Sequence, residues 1–299
     1  KGRAQRATPS GAPSPPPPAV PAMRRAVQLL GRRLASAELS AYRENGFLTL
    51  PSAQLSDGVL QRARSGLEDL LAKNDKFLPE QLVSAHLSAE VKGSTVAGNS
   101  AFLDLVRSDA LVDLAEDVLG TESLMCWGCQ VFCKPPEAGR AVPFHQDGQY
   151  WPIEPLETAT LWVALDDSDR QNGGLWYVPG SHKRGYLPHV RREREDSAIS
   201  FILDPEVLAT LPAPEAAELP AGGVSIHDPV VVHGSEANRS QRRRAGVSIH
   251  YMPARCWFRR DVQTLGERLG GLRLDYSERP LVLVRGRSEN PRNEHVLEL

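Results

Sequence analysis

His145-Gln-Asp147 sets an imidazole and a carboxylate two residues apart. On a strand, residues i and i+2 project from the same face, so both side chains can reach one metal ion from adjacent positions. A chain with eight histidines produces such a pair readily by chance, and the pair gains meaning only from a second element. Val230-Val-Val-His233 reads as an apolar strand ending in histidine. Two histidines and one carboxylate with open positions make the facial triad of non-haem Fe(II) oxygenases. The plainer alternative is that His233 is a hydrogen-bonded core histidine.

A third element bears on that choice. Arg244 opens a stretch in which Arg244, Gly246, Ser248 and His250 alternate with Ala245, Val247, Ile249 and Tyr251. The second set is an apolar packing face, so the first points the other way, into a barrel. An inward arginine needs a buried anion, and a guanidinium fork suits the distal carboxylate of 2-oxoglutarate. Arg242 and Arg243 read as solvated.

Positioning these groups requires strands. Helical spacing predicts a short helix capped by Ser36 and running to about Asn45, closed by Gly46, and another capped by Ser56 with Val59, Leu60, Ala63, Leu67, Leu70 and Leu71 on one face. A third helix is expected over about 109–119, ending before Gly120. Short alternating stretches follow near 124–134, 158–165, 174–178, 224–227, 230–233 and 245–252, separated by turn signals such as Asn172-Gly173. Helices first and strands after predict a mostly β chain, a sandwich or jelly-roll barrel with helices packed on one face. Residues 183–222 form a long connection with a helical patch near 204–210, and Leu281-Val-Leu-Val284 reads as an edge strand or packing segment.

The segments Lys134-Pro-Pro136, Phe144-His-Gln-Asp-Gly-Gln-Tyr-Trp-Pro152, Asn172-Gly173, Pro179-Gly-Ser-His182, His233-Gly-Ser235 and Asn238-x-Ser240-x3-Arg244 together resemble the phytanoyl-CoA dioxygenase family. The resemblance runs from about residue 40 to about 253. It implies a double-stranded β-helix (a cupin-like jelly roll) carrying Fe(II) and using 2-oxoglutarate and O2 as co-substrates. By this resemblance His145, Asp147 and His233 match the metal ligands, and Arg244 the 2-oxoglutarate arginine. Ser235 and Trp162 match positions near the co-substrate. Gln130 shares a strand face with Lys134 and is a further candidate there. Related iron halogenases carry a small residue where Asp147 stands, so the resemblance implies hydroxylation. The expected enzyme is a dioxygenase that hydroxylates a small or medium organic molecule with release of succinate and CO2.

Other residues invite other chemistry. Cys126-x2-Cys129-x3-Cys133 suggests zinc or iron–sulfur, but regular alternation puts Cys129 and Cys133 on one face and Cys126 on the opposite one. His182 reads as a turn residue. His227 is followed directly by Asp228, without the spacer of a strand pair. His250 reads as lining the barrel interior or, the preferred reading, as a structural hydrogen-bonding group. Gln146, Tyr150 and Trp151 line a pocket mouth or pack against the next strand. Arg191, Arg192 and Arg194 are offset by Glu193, Glu195 and Asp196, as on a solvated surface.

Composition bounds the alternatives. The chain has 299 residues, 41% of them hydrophobic and 24% charged, enough for a sizeable core. A net charge of −2 gives no electrostatic case for nucleic acid, which argues against a nucleic-acid demethylase of similar fold. A barrel that binds or regulates without turnover is the other alternative. No apolar run reaches a membrane span of roughly 18 residues. Four cysteines do not make a disulfide framework. Residues 1–35 are expected to be a disordered, Pro/Arg-rich extension, either an organelle transit segment or a mis-assigned start with Met23 as the true one. Residues 36–299 are expected to form one oxygenase domain with its barrel core at about 124–253, cytoplasmic or in an organelle, as a monomer or homodimer.

Overall fold

The computed structural model describes residues 33–298 except 54, 81, 95, 150, 193–196, 200 and 261–275. The expected extension therefore falls almost wholly outside the described residues, as do Tyr150 and the charges of 193–196. Helix α1 (Ser36–Asn45) leads into β1 (Phe47–Leu50), followed by α2 (Asp57–Lys73), β2 (Leu82–Val83), α3 (Ser100–Val106) and α4 (Asp109–Leu119). Next come β3 (Leu124–Lys134), β4 (Val142–His145), β5 (Ile153–Glu154), β6 (Ala159–Ala164), β7 (Leu175–Tyr177), β8 (His189–Arg191) and β9 (Phe201–Leu203). The chain then runs through α5 (Pro205–Leu208), β10 (Glu215–Ala217), β11 (Val224–His227), β12 (His233–Ser235), β13 (Arg244–Pro253), β14 (Trp257–Phe258), β15 (Leu281–Arg285) and β16 (Val296–Leu297).

Local chemistry explains the helix ends. Gly46 stops α1 with φ of 81°, a left-handed conformation that only glycine adopts without cost, and its N–H donates to Tyr42 O at 2.8 Å. The α1 N-cap is Ala35 rather than Ser36; the Glu38 carboxylate accepts from the Ala35 N–H at 2.9 Å and does the capping. Ser56 precedes α2 and Gly120 follows α4, as the spacing predicts.

Two sheets make the barrel. The larger runs β1-β11-β6-β13-β3-β15-β16, with β2 also on β3; the smaller runs β10-β7-β12-β4. The main hydrophobic core lies outside the barrel, between the larger sheet and the helices. Val131, Leu161, Val163, Val247 and Ile249 meet Leu67, Leu70, Phe102, Leu105, Leu111 and Leu114 there, all of them buried. This is the mostly β, double-stranded β-helix architecture with helices on one face. Because one face of β13, β3 and β6 is spent on that core, the opposite face is free to carry polar groups into the barrel.

Three sequence expectations need correcting. The β13–β3 register pairs His250 with Gly128 and Tyr251 with Cys126, so Trp127 is the extra residue of a β-bulge. The bulge resets the alternation and returns Cys126 to the apolar core beside Cys129 and Cys133. All four cysteines are free and buried, and burial pushes the Cys126 thiol up to about 12 and that of Cys133 to about 11. The segment 281–285 is not an edge: β15 pairs with β3 on one side and β16 on the other. Finally, 230–232 is turn rather than strand, and His233 begins β12 instead of ending a strand.

Candidate metal centre and co-substrate pocket

His145 ends β4 in the smaller sheet, directly opposite His233 in the β12 register. Asp147 is not on the strand with His145. It starts a 3-10 turn over 147–149, and the turn rather than strand alternation swings its carboxylate towards the imidazoles. One ligand atom from each of His145, Asp147 and His233 lies within 4.8 Å of the others. His145 Nε2 is 3.3 Å from Asp147 Oδ1, and His233 Nε2 is 3.8 Å from Asp147 Oδ2.

The outer nitrogens fix the tautomers. His145 Nδ1–H donates to Pro143 O at 2.9 Å, and His233 Nδ1–H donates to Val231 O at 3.1 Å. Each ring then presents its Nε2 lone pair to the Asp147 carboxylate. Burial drives His233 down to about 3, so its imidazole is neutral at physiological pH. Burial opposes the Asp147 charge, and only a positive charge or an N–H offered by the groups around it holds the carboxyl well below its usual range. Electron-pair donors converging around an ionised carboxylate are reconciled by a cation, so these residues fit a divalent metal such as Fe(II).

The same cavity holds Arg244, Ser235, Trp162, Gln130, Phe132, Leu175 and Ser248. Arg244 opens β13 and is 1% exposed, yet its donors meet only backbone carbonyls: Nε and Nη2 reach Gly173 O at 3.1 and 2.8 Å. Its guanidinium lies 5.5 Å from the Trp162 ring. Among the described residues it forms no ion pair, and burial pushes it down to about 10. Arg242 and Arg243 behave differently. Arg242 pairs with Asp169, and Arg243 with Asp166 and Glu68.

Lys134 sits opposite Arg244 in the β13–β3 register and is wholly buried. Its Nζ donates to Ser235 Oγ at 2.7 Å and to Glu236 O. Because Ser235 Oγ accepts from Lys134, its own O–H is free to donate towards the cavity. Burial, with Arg244 adding to it, pushes Lys134 down to about 6. Close approach explains Gly246: a Cβ there would stand 2.0 Å from the Trp162 ring.

Two histidines without a predicted site role also line the cavity. His250 donates or accepts at Thr160 Oγ1 (3.0 Å), stacks on Trp127 with ring centroids 4.8 Å apart, and is kept neutral by burial. His227 reaches the Asp147 carboxylate from β11. The alternation Val224-Ser-Ile-His227, whose Val224 and Ile226 go to the core, was the signal that could have placed His227 inside. His182 lies in a turn, its Nε2 on Arg43 O at 3.1 Å. Trp151 and Tyr276 line the cavity as well.

Known proteins share this arrangement of chain. A probable phytanoyl-CoA dioxygenase of Caenorhabditis elegans is 27% identical over 238 residues, 74% of this chain and 76% of that one. A probable alpha-ketoglutarate-dependent hypophosphite dioxygenase of Stutzerimonas stutzeri is 35% identical over 158 residues, covering 51% of this chain and 53% of the relative. EctD from S. alaskensis, solved with 2-oxoglutarate and 5-hydroxyectoine, superposes with a TM-score of 0.59 at 18% identity, over 76% of this chain and 80% of that one. The family model described as phytanoyl-CoA dioxygenase (PhyH) matches residues 42–246, and the chain belongs to that family.

Proposed function

We propose that this chain is an Fe(II)- and 2-oxoglutarate-dependent dioxygenase that hydroxylates a small or medium organic molecule. His145, Asp147 and His233 are the metal ligands in this reading. Arg244 binds the distal carboxylate of 2-oxoglutarate, with Ser235, Trp162 and Gln130 lining the co-substrate. The observation that carries it is the buried guanidinium of Arg244, unpaired with any carboxylate among the described residues and opening on the same cavity as the three converging donors.

Bound Fe(II) supplies activation of O2 at the expense of 2-oxoglutarate, which leaves as succinate and CO2. The protein's residues do the rest. Arg244 neutralises and orients the dicarboxylate with two parallel donors, and the Ser235 hydroxyl, held by Lys134, donates a further hydrogen bond. Trp162 and Phe132 exclude water beside it. Asp147 provides the third protein ligand, which favours hydroxylation over halogenation.

Part of the remaining described wall, Trp151, Ile199, Tyr276 and the neutral His250, suits an organic substrate of apolar or aromatic surface, beside the buried Glu80 that Arg140 pairs. Arg244 is the one lysine or arginine on the described lining, which supports a single dicarboxylate site. Among the described residues no helix is long and apolar enough to cross a membrane. The test is succinate release from 2-oxoglutarate by Fe(II)-loaded protein across a metabolite panel. Turnover above the His233→Ala background supports the proposal. Metal binding with no succinate under any condition favours a binding or regulatory protein instead.

A further inference from the structure

We propose that His227 is a positioning residue: it holds one oxygen of the Asp147 carboxylate by a hydrogen bond and thereby makes Asp147 a one-oxygen metal ligand. The inference rests on the metal-centre reading above. His227 ends β11 and is 2% exposed. Its Nε2 is buried without a hydrogen-bond partner and faces Asp147 Oδ2 at 3.6 Å, a few tenths of an ångström beyond a hydrogen bond. Its Nδ1 lies 3.0 Å from the Tyr177 hydroxyl, which lies 3.0 Å from Ser225 Oγ. Tyr177 and Ser225 are wholly buried.

The protons of this chain can run in two directions. In the first, Nδ1–H donates to Tyr177, and Nε2 turns a lone pair on an ionised carboxylate in a space closed to water. In the second, Ser225 donates to Tyr177, Tyr177 donates to Nδ1, and Nε2–H points at Asp147 Oδ2. Only the second gives every group its complement, and an unpaired buried polar group is costly. The Asp147 charge therefore selects the tautomer, and the Tyr177–Ser225 pair locks it. With Oδ2 taken by His227, Oδ1, beside His145 Nε2, is the oxygen left for the metal. His227 is not itself one of the converging donors; among the described residues that set is His145, Asp147 and His233. A carboxylate that contributes one oxygen instead of two keeps a coordination position open for small molecules.

The experiment titrates metal-free protein with Mn(II) by calorimetry and follows the visible absorption of the Co(II) form. Outer partners of metal ligands typically control affinity about 10- to 100-fold, and His227→Leu should weaken Mn(II) binding by that amount and change the Co(II) spectrum. Glutamine places an amide N–H close to where the Nε2–H stood, so His227→Gln should bind Mn(II) within a few-fold of wild type with an unchanged spectrum. Tyr177→Phe, which removes only the lock, should lose a few-fold. Equal losses in the leucine and glutamine variants, or wild-type affinity in both His227→Leu and Tyr177→Phe, would overturn the role of His227. Wild-type affinity in His233→Ala is a different failure, because it removes the metal centre itself.

Discussion

Arg244 and Arg285 are both arginines on strands of the larger sheet, and their surroundings are opposite. Arg285 on β15 meets Asp113 at 2.6 Å, Asp109 at 3.1 Å and Glu116, and Asp113 is nearly fully buried. Burial works against the Arg285 charge, but the hydrogen bonds it donates to Asp113 and Glu116 outweigh it and raise the guanidinium above its ordinary value. Arg244 on β13 has carbonyls alone and is pushed down to about 10. Lys134 beside it is likewise buried among hydroxyl and carbonyl oxygens. One region satisfies its cation from within the chain and fastens the tail strand to α4. The other keeps one cation, Arg244, that the fold alone does not neutralise, which is the electrostatic form expected of a site for a carboxylate ligand.

The triad lies on the ligand-seeking side of this contrast, and its loss should give the largest effect. His233→Ala should lower Mn(II) affinity by more than about 100-fold, beyond what outer partners usually control, and abolish succinate release. Its folded stability should be little changed, which thermal unfolding of the metal-free protein checks. Arg285→Leu should do the reverse. Leaving Asp113 and Glu116 to Arg33 alone should cost about 2 kcal/mol, below the usual 3–5 for a broken buried pair because Arg33 remains and Arg285 is 21% exposed. The urea midpoint should fall while 2-oxoglutarate affinity holds.

Lys134 gives a pH signature. Folding lowers it from about 10.5 to about 6, so between those values the unfolded chain holds the proton that the folded chain releases. Stability from this residue therefore rises with pH across that window and is flat below about 6. Relative to Lys134→Met, wild type should become steadily more stable from pH 6 to pH 9, read as the difference in urea midpoints. A constant difference would place a permanent charge at Lys134. The smallest effect is expected at Gly246. A methyl there must displace the Trp162 ring, and losing one cation–π contact to Arg244 should weaken 2-oxoglutarate about 2- to 5-fold.

Much of this was readable in the residues, for physical reasons. The alternation of β13 forced Arg244, Ser248 and His250 to one face because Ala245, Val247, Ile249 and Tyr251 needed the other. Glycine termination of α1 and α4 was legible because the left-handed cap admits few other residues. What stayed hidden depended on contacts between distant segments. The bulge at Trp127 leaves no mark in a local pattern, yet it decides where Cys126 goes. The turn that carries Asp147 looks like strand from spacing alone. His227 acts through a residue 80 positions earlier in the chain, and Lys134 through Ser235, 101 positions on. The pairing of β15 inside the sheet is equally invisible without its partners.

The most direct measurement is calorimetric binding of 2-oxoglutarate to Mn(II)-loaded protein, comparing wild type with Arg244→Leu, Arg242→Ala and Arg243→Ala. Truncating one partner of a buried charge pair typically costs about 2–5 kcal/mol, or roughly 30-fold and more in affinity. Arg244→Leu should show that loss. Arg242 and Arg243, already paired with Asp169, Asp166 and Glu68, should bind 2-oxoglutarate as wild type does. Wild-type affinity in Arg244→Leu, or equal losses at all three arginines, would contradict the assignment of this cavity to a dicarboxylate co-substrate.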